Sequence, residues 1–148
     1  MEPPTNRVER HPQTSFDAVV SLVGRVLFGG FFLYNGLNHF MNLEGMAGYA
    51  MSKGLPMAGF MVAASGLLLL LGGLSILLGF WTRIGAWLLV LFLVPTAFLM
   101  HNYWAVADAQ AAAGEQIQFM KNMALAGAAL MISIVPRGPL SLGARKKR

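Results

Sequence analysis

The chain has 148 residues, the length of one domain, but its composition is far from that of a water-soluble protein. Hydrophobic residues make up 56% of it and charged residues 11%, whereas about a quarter of the residues in a soluble protein are charged. The net charge of +5 comes largely from a basic tail, and such a tail beside a membrane favours topology and lipid contact over nucleic-acid binding. The chain has no cysteine, which excludes disulfides, thiolate catalysis and iron–sulfur ligation by its own residues.

Four apolar runs predict four membrane-spanning helices, at about residues 17–40, 57–80, 84–101 and 118–135. Residues 1–16 are polar and rich in proline, so they predict a flexible cytoplasmic arm rather than a cleaved signal peptide. Residues 41–56 predict a loop or a short surface helix, and residues 102–117 a helical extension or a surface loop. Residues 137–148 predict a basic cytoplasmic tail. The predicted fold class is all-α, an integral membrane antiparallel four-helix bundle.

Positive charges are distributed unevenly between the two ends of this predicted bundle. Four spans place both termini on one side, together with the short link Trp81-Thr82-Arg83, which forces the second and third spans into an antiparallel hairpin. That side carries most of the lysine and arginine, whereas the opposite loops carry Lys53, with Lys121 at their edge. The positive-inside rule therefore predicts that both termini are cytoplasmic.

A polar stripe closes the first apolar run, in the segment LYNGLNHFMN at residues 33–42. Its members are three or four residues apart and therefore share one face of a helix: Tyr34, Asn35, Asn38, His39 and Asn42. Polar residues also close the third run, at His101 and Asn102, and open the fourth, at Lys121 and Asn122. In an antiparallel bundle these three places meet at the same end.

This end is the predicted ligand site, because it combines hydrogen-bonding side chains with aromatic residues at the depth of the lipid headgroups. The candidate ligand-binding residues are Asn35, Asn38, His39, His101, Asn102, Lys121 and Asn122, and the candidate walls are Phe31, Phe32, Phe98 and Trp104. The alternative is that these polar groups bond only to one another, to water or to lipid headgroups.

Arg25 lies near the start of the first span, about 21 Å along the helix from His39 at about 1.5 Å per residue. It is therefore a separate functional candidate in the inner leaflet. Either it extends to the nearby headgroups, or it pairs with an acid or a bound ligand.

Glycines recur at helical spacing in the first two spans and predict a smooth strip along which neighbouring helices approach closely. The predicted packing glycines are Gly29, Gly36, Gly59, Gly66 and Gly73.

The chain resembles the DoxX family of small four-helix bacterial and archaeal membrane proteins. The resemblance covers about residues 21–135 and rests on an ordered set of motifs: an early arginine followed by GGFFLYNGLNHF, a loop ending in KGLP, a span closing as LLGFWTR, and FMKN at the start of the fourth span. It implies a multi-pass protein of the plasma membrane. Some members of the family are subunits of thiosulfate:quinone oxidoreductase, and others are parts of a membrane-associated oxidoreductase complex, so the resemblance implies a role of this kind.

These observations favour a redox-associated membrane subunit that binds a quinone-like headgroup, or anchors an oxidoreductase partner, at the outer end of the bundle. The main alternative is a non-catalytic scaffold or assembly protein without a cofactor. The expected partners are the lipid bilayer and a second membrane protein or a second copy of the chain, and not nucleic acid. We expect no catalysis by the chain alone and identify no catalytic residue.

Three other functions have less support. A haem between the first and third helices would need both His39 and His101 as ligands, but each lies only about one residue from a predicted helix boundary. A metal site is not expected, because no HExxH-like spacing exists. A transporter would have to oligomerise, because four helices are few for an alternating-access pathway.

Overall fold

The computed structural model describes residues 14–135 and 140–142. Most of the predicted arm, residues 1–16, and of the predicted tail, residues 137–148, lies outside them. Within the described part the chain is 85% helix and has no strand, which confirms the predicted all-α class. The helices are α1 Ser15–Met41, α2 Leu43–Ser52, α3 Ala58–Leu78, α4 Thr82–Met100 and α5 Ala109–Ile134, with one turn of 3₁₀ helix at Tyr103–Ala105.

Four of these helices, α1, α3, α4 and α5, are long and apolar enough to cross a membrane. The short helix α2 lies between α1 and α3 in the segment predicted as a loop or a surface helix. Helix α5 begins at Ala109, so much of the segment 102–117 is a helical extension of the fourth span. We call the end of the bundle where α2 lies the α2 end, and the opposite one, where α3 passes into α4, the tail end.

Local sequence explains where α1 and α5 start. Thr14 caps α1, because its side chain accepts a hydrogen bond from the Asp17 amide at 3.2 Å while the Asp17 carboxylate accepts one from the Thr14 amide at 3.0 Å. Asp108 caps α5 by accepting from the Ala111 amide at 2.7 Å. Between α3 and α4 the chain reverses within a few residues, and Gly79 there has a φ of +67°, which a glycine adopts without strain.

Glycines bring α1 and α3 into backbone contact. A Cβ on Gly73 would lie 2.8 Å from the Gly29 carbonyl oxygen, and one on Gly29 would lie 2.7 Å from that of Gly73. Gly36 and Gly66 are also in close contact across this interface, with Leu70 and His39 respectively. Gly59 differs from the other predicted packing glycines, because no atom of a described residue lies within 4 Å of the position of its Cβ.

The core is formed by side chains from all four long helices. Its buried members are Phe32, Leu69, Ile76, Ala86, Leu89, Leu93, Ala126 and Ala129. A second, smaller cluster of Ala50, Ala58 and Val62 packs α2 against the start of α3. This second cluster holds α2 against the α2 end of the bundle, where it borders the candidate site.

Candidate functional site at the α2 end

A cavity of about 410 Å³ lies between the helices at the α2 end. Its volume falls within the range of about 300–1,000 Å³ that is usual for small-molecule sites. Most of its walls are apolar and come from α1, α3 and α4, and α2 adds Met46, Tyr49 and Ala50. Five of the seven predicted ligand-binding residues line it, namely Asn35, His39, His101, Lys121 and Asn122.

Two of these residues, on α1, present hydrogen-bond acceptors. The His39 ring shares a hydrogen bond of 2.8 Å between Nδ1 and the Asn35 carbonyl, and because a carbonyl only accepts, Nδ1 carries the proton. In the neutral ring Nε2 is then an acceptor. The Asn35 side-chain amide donates to the Phe31 carbonyl at 2.7 Å, which leaves its Oδ1 available. Phe92, which also lines the cavity, packs edge-on to His39 with ring centroids 5.9 Å apart.

Helix α5 adds two nitrogen donors. Asn122 is 5% exposed and lines the cavity, and its amide makes no hydrogen bond to any residue that the structure describes. Lys121 is exposed and donates to the Gln118 side chain one turn earlier. Asn122 is therefore a buried residue whose amide is open to the cavity and is not one of the enclosed, unpaired polar groups of the described residues.

A carboxylate that the sequence did not single out organises the rim of the cavity. Glu115 of α5 accepts hydrogen bonds from Tyr49 at 3.0 Å and from Lys53 at 2.9 Å, both through Oε1. Its Oε2 lies 2.7 Å from Nδ1 of His101. We call Tyr49, Lys53, His101 and Glu115 the Glu115 cluster, and it ties α2 to α5 and to the end of α4.

The cluster shifts the acid–base properties of α2, which lies outside the membrane-spanning helices. Partial burial and the hydrogen bond to Glu115 raise the pKa of Tyr49 above its ordinary 10.0. The hydrogen bond to Glu115 raises the pKa of Lys53 above 10.5. Both groups therefore keep their protons at neutral pH, and Lys53 offsets the carboxylate charge at a place where both side chains are 18% exposed.

Some of the predicted residues lie away from the cavity. Asn38 and Asn102 do not line it. Of the predicted walls, Phe31 and Phe32 line the cavity, whereas Phe98 and Trp104 do not. Phe98 and Trp104 instead pack with Tyr103 around Phe119, and their ring centroids lie 5.2 to 5.7 Å from the ring centroid of Phe119.

Arg25 lies at the tail end of the bundle. Its Nη2 donates to the Leu140 carbonyl at 2.6 Å, and the Leu142 amide donates to the Leu78 carbonyl at 3.0 Å. Arg25 thus holds a segment of the chain that follows α5. Within the described ranges, no group of three or more histidine, aspartate or glutamate side chains is arranged to hold a metal ion.

Sequence reasoning missed Glu115, Tyr49 and Lys53. The available signal was charge: Lys53 is the lysine of the loop after the first span, and Glu115 is an acid in the segment before the fourth. An acid and a base at the same end of the bundle can form an ion pair, but only the packing of α2 against the bundle brings these two side chains into contact.

Comparison with known proteins agrees with this architecture. A family model described as DoxX matches residues 20–102. The chain is 31% identical over 127 residues to "Inner membrane protein YphA" of Escherichia coli (strain K12), covering 86% of this chain and 90% of that protein. It is 34% identical over 121 residues to "Inner membrane protein YqjF" of the same organism, covering 82% and 87%.

The chain belongs to the DoxX family. Membership confirms the resemblance that the sequence motifs indicated, and the four long apolar helices are those of a small membrane protein. The two relatives are named for the inner membrane, and neither name states a ligand or an activity. No solved structure matches this DoxX-family chain.

Proposed function

We propose that this DoxX-family protein is a redox-associated membrane subunit whose cavity binds a quinone-like headgroup. The observation that carries the proposal is Asn122, a buried amide facing the cavity without a described partner. The side chain is 5% exposed, and its amide atoms are not among the enclosed, unpaired polar atoms of the described residues, so the amide is open to the cavity. A ligand carbonyl in the cavity can therefore accept a hydrogen bond from it.

The polar groups around the cavity suit both redox forms of such a headgroup. A quinone presents carbonyl oxygens, which accept hydrogen bonds, and the Asn122 amide is a donor. A hydroquinone presents hydroxyl groups, which donate, and Nε2 of neutral His39 and Oδ1 of Asn35 are acceptors. Phe31 and Phe32 supply flat apolar walls for the ring.

The chain provides binding and orientation in this proposal, and an oxidoreductase partner exchanges the electrons. The bundle lies in the plasma membrane with both termini cytoplasmic and the α2 end outward, as the positive-inside rule indicates. The partner then docks at the α2 end, where the cavity lies. The second candidate function is a scaffold in which the same end seats a partner and the cavity holds only lipid or water.

Gentle purification from the native membrane tests the proposal, with co-purifying quinones and proteins identified by mass spectrometry. We expect quinone with the wild-type protein and about tenfold less with Asn122→Leu, the change that a loss of about 1.4 kcal/mol in binding gives. This variant removes no hydrogen bond between described residues, and its thermal unfolding is compared with that of the wild type to verify the fold. Asn38→Leu is the matched control, since Asn38 does not line the cavity, and we expect no change.

Two results would contradict the proposal. Equal quinone in all three proteins would mean that quinone accompanies the lipid without using the cavity. A stable protein partner with no quinone in the wild type would favour the scaffold function instead.

A further inference from the structure

The side of the cavity that faces the aqueous phase is closed by α2. Met46, Tyr49 and Ala50 of this helix line the cavity, and Leu55 continues the cover after α2 ends. Apolar packing against Ala58 and Val62 holds the cover at one edge. The Glu115 cluster holds it at the other, because Tyr49 of α2 and Lys53, directly after α2, donate to a carboxylate on α5.

The wall formed by α3 and α4 is different. Towards the tail end these helices are in backbone contact: a Cβ on Gly72 would lie 2.9 Å from the Gly85 carbonyl oxygen, and one on Gly85 would lie 2.5 Å from the Ser75 side chain. Leu68 and Ser65 lie one and two turns before Gly72 on the same face of α3, and they line the cavity. On the α2 side of this contact the cavity therefore extends between α3 and α4, and we call this part of it the groove.

This groove is open at its side. Several of the residues that line the cavity here are also well exposed: Leu91 by 59%, Leu99 by 53% and Met61 by 43%. All three lie on helices that are long and apolar enough to cross the membrane. Leu91 lies at the middle of α4, where the medium outside is hydrocarbon, and Met61 and Leu99 lie within one turn of the α2 end, nearer the headgroups. A side chain that both lines a cavity and faces lipid marks a lateral opening.

We propose that the ligand of this cavity is a membrane lipid with a polar head and a single linear apolar chain, which enters sideways between α3 and α4. The headgroup lies among Asn35, His39 and Asn122, and the chain rests in the groove lined by Met61, Leu68, Leu91 and Leu99. This inference rests on the proposed function, because it assumes that a headgroup occupies the cavity. It adds the source of the ligand, the bilayer, and the part of the molecule that selects it.

A photoreactive ligand tests the route. The protein is placed in lipid nanodiscs with a benzoquinone whose alkyl chain ends in a diazirine, then illuminated, and the adducts are mapped by peptide mass spectrometry. We expect adducts concentrated at residues 61–68 and 91–99. An excess of the same benzoquinone without a chain competes for the headgroup site and lowers the labelling.

Matched tryptophan variants locate the opening. Leu68→Trp places a large ring in the groove, and we expect about tenfold less labelling, equivalent to about 1.4 kcal/mol in binding. Leu91→Trp is a second groove variant for which we expect the same reduction in labelling. It guards against misfolding, because Leu91 is already exposed and its site tolerates a larger ring. Leu67→Trp is the control, since Leu67 is 52% exposed but does not line the cavity, and we expect the wild-type yield of adducts.

The outcomes separate this inference from the function on which it rests. If the chainless benzoquinone competes, but either the adducts lie on other helices or Leu67→Trp and Leu68→Trp label alike, the lateral route is wrong and headgroup binding stands. If neither the competitor nor any variant changes the labelling, both are wrong.

Discussion

At the scale of single residues, Glu115 is the group on which the α2 end depends. Its two oxygens accept from three side chains, so its charge is both paired with Lys53 and distributed over hydrogen bonds. With 18% of the side chain exposed, it is screened less than an ion pair on an open surface. Removal of the charge would leave donors on α2 without a matched acceptor.

We predict that Glu115→Gln lowers the free energy of unfolding at neutral pH by about 1–3 kcal/mol, because an amide cannot accept at both ends. The variant should also respond less to alkali. Folding raises the pKa of Lys53 and of Tyr49, so both hold protons more tightly in the folded chain. Their contribution to stability is complete below the unfolded pKa values and is lost as the pH rises through the raised ones.

Thermal unfolding in detergent at a series of pH values from about 7 to 11 measures both effects. The wild-type Tm should fall at the alkaline end, and that of Glu115→Gln should start lower and fall less. Glu44→Gln is the control, since Glu44 is an exposed acid in the first turn of α2. An alkaline decline of the same size in both variants would show that the Glu115 cluster does not cause it.

At the scale of helices, the α1–α3 interface sets the geometry of the cavity. Backbone contact at Gly29 and Gly73 fixes the separation of the two helices. In the last turn of α1, His39 packs against Gly66, where a Cβ would lie 2.9 Å from that of His39. The same close packing that stabilises the helix pair therefore positions a cavity-lining histidine. In lipid such packing is the main source of helix association, because burial of apolar surface brings little gain there.

We predict that Gly73→Ala destabilises the protein by about 1–3 kcal/mol, because the new methyl group would collide with the backbone of α1 and the helices would have to separate. Gly59→Ala should cause no loss, since nothing described lies near its Cβ position. Unfolding in increasing SDS, followed by far-ultraviolet circular dichroism, compares the two. Equal stability of both variants would mean that the α1–α3 contact does not limit stability.

At the scale of the whole molecule, the two ends of the bundle have different characters. The α2 end carries a cavity covered by a short helix and tied by the Glu115 cluster. At the tail end, Arg25 binds the backbone of Leu140, so the segment after α5 and the first half of α1 are held at the same end as the α3–α4 link. The candidate site and the contacts of the segment after α5 therefore lie at opposite ends of the bundle.

We predict that the α2 end faces outward and the tail end faces the cytoplasm, because lysine and arginine are retained on the cytoplasmic side. The natural absence of cysteine allows single cysteines to report on this. In intact cells a membrane-impermeant maleimide should label Ser52→Cys, after α2, and should label Leu142→Cys only after permeabilisation. Both residues are exposed, so access is governed by the side of the membrane. The reverse pattern would invert the topology and place the cavity at the cytoplasmic face.

The sequence alone determined the class of this protein, because long apolar runs in a chain with 11% charged residues have one stable solution, a bundle of spanning helices. It also brought Asn35, His39, His101 and Asn122 to one end, since antiparallel order places the polar ends of alternate spans together. Only the tertiary structure decided which of the seven predicted ligand-binding residues line the cavity: Asn122 does, while Asn38 and Asn102 do not. Only the tertiary structure, too, brought Glu115 to Tyr49 and Lys53, which are 66 and 62 positions away in the chain. The reason is physical: hydrophobicity determines that a helix spans the membrane, but its rotation and its neighbours follow from the packing of glycines and small side chains, which a local pattern does not encode.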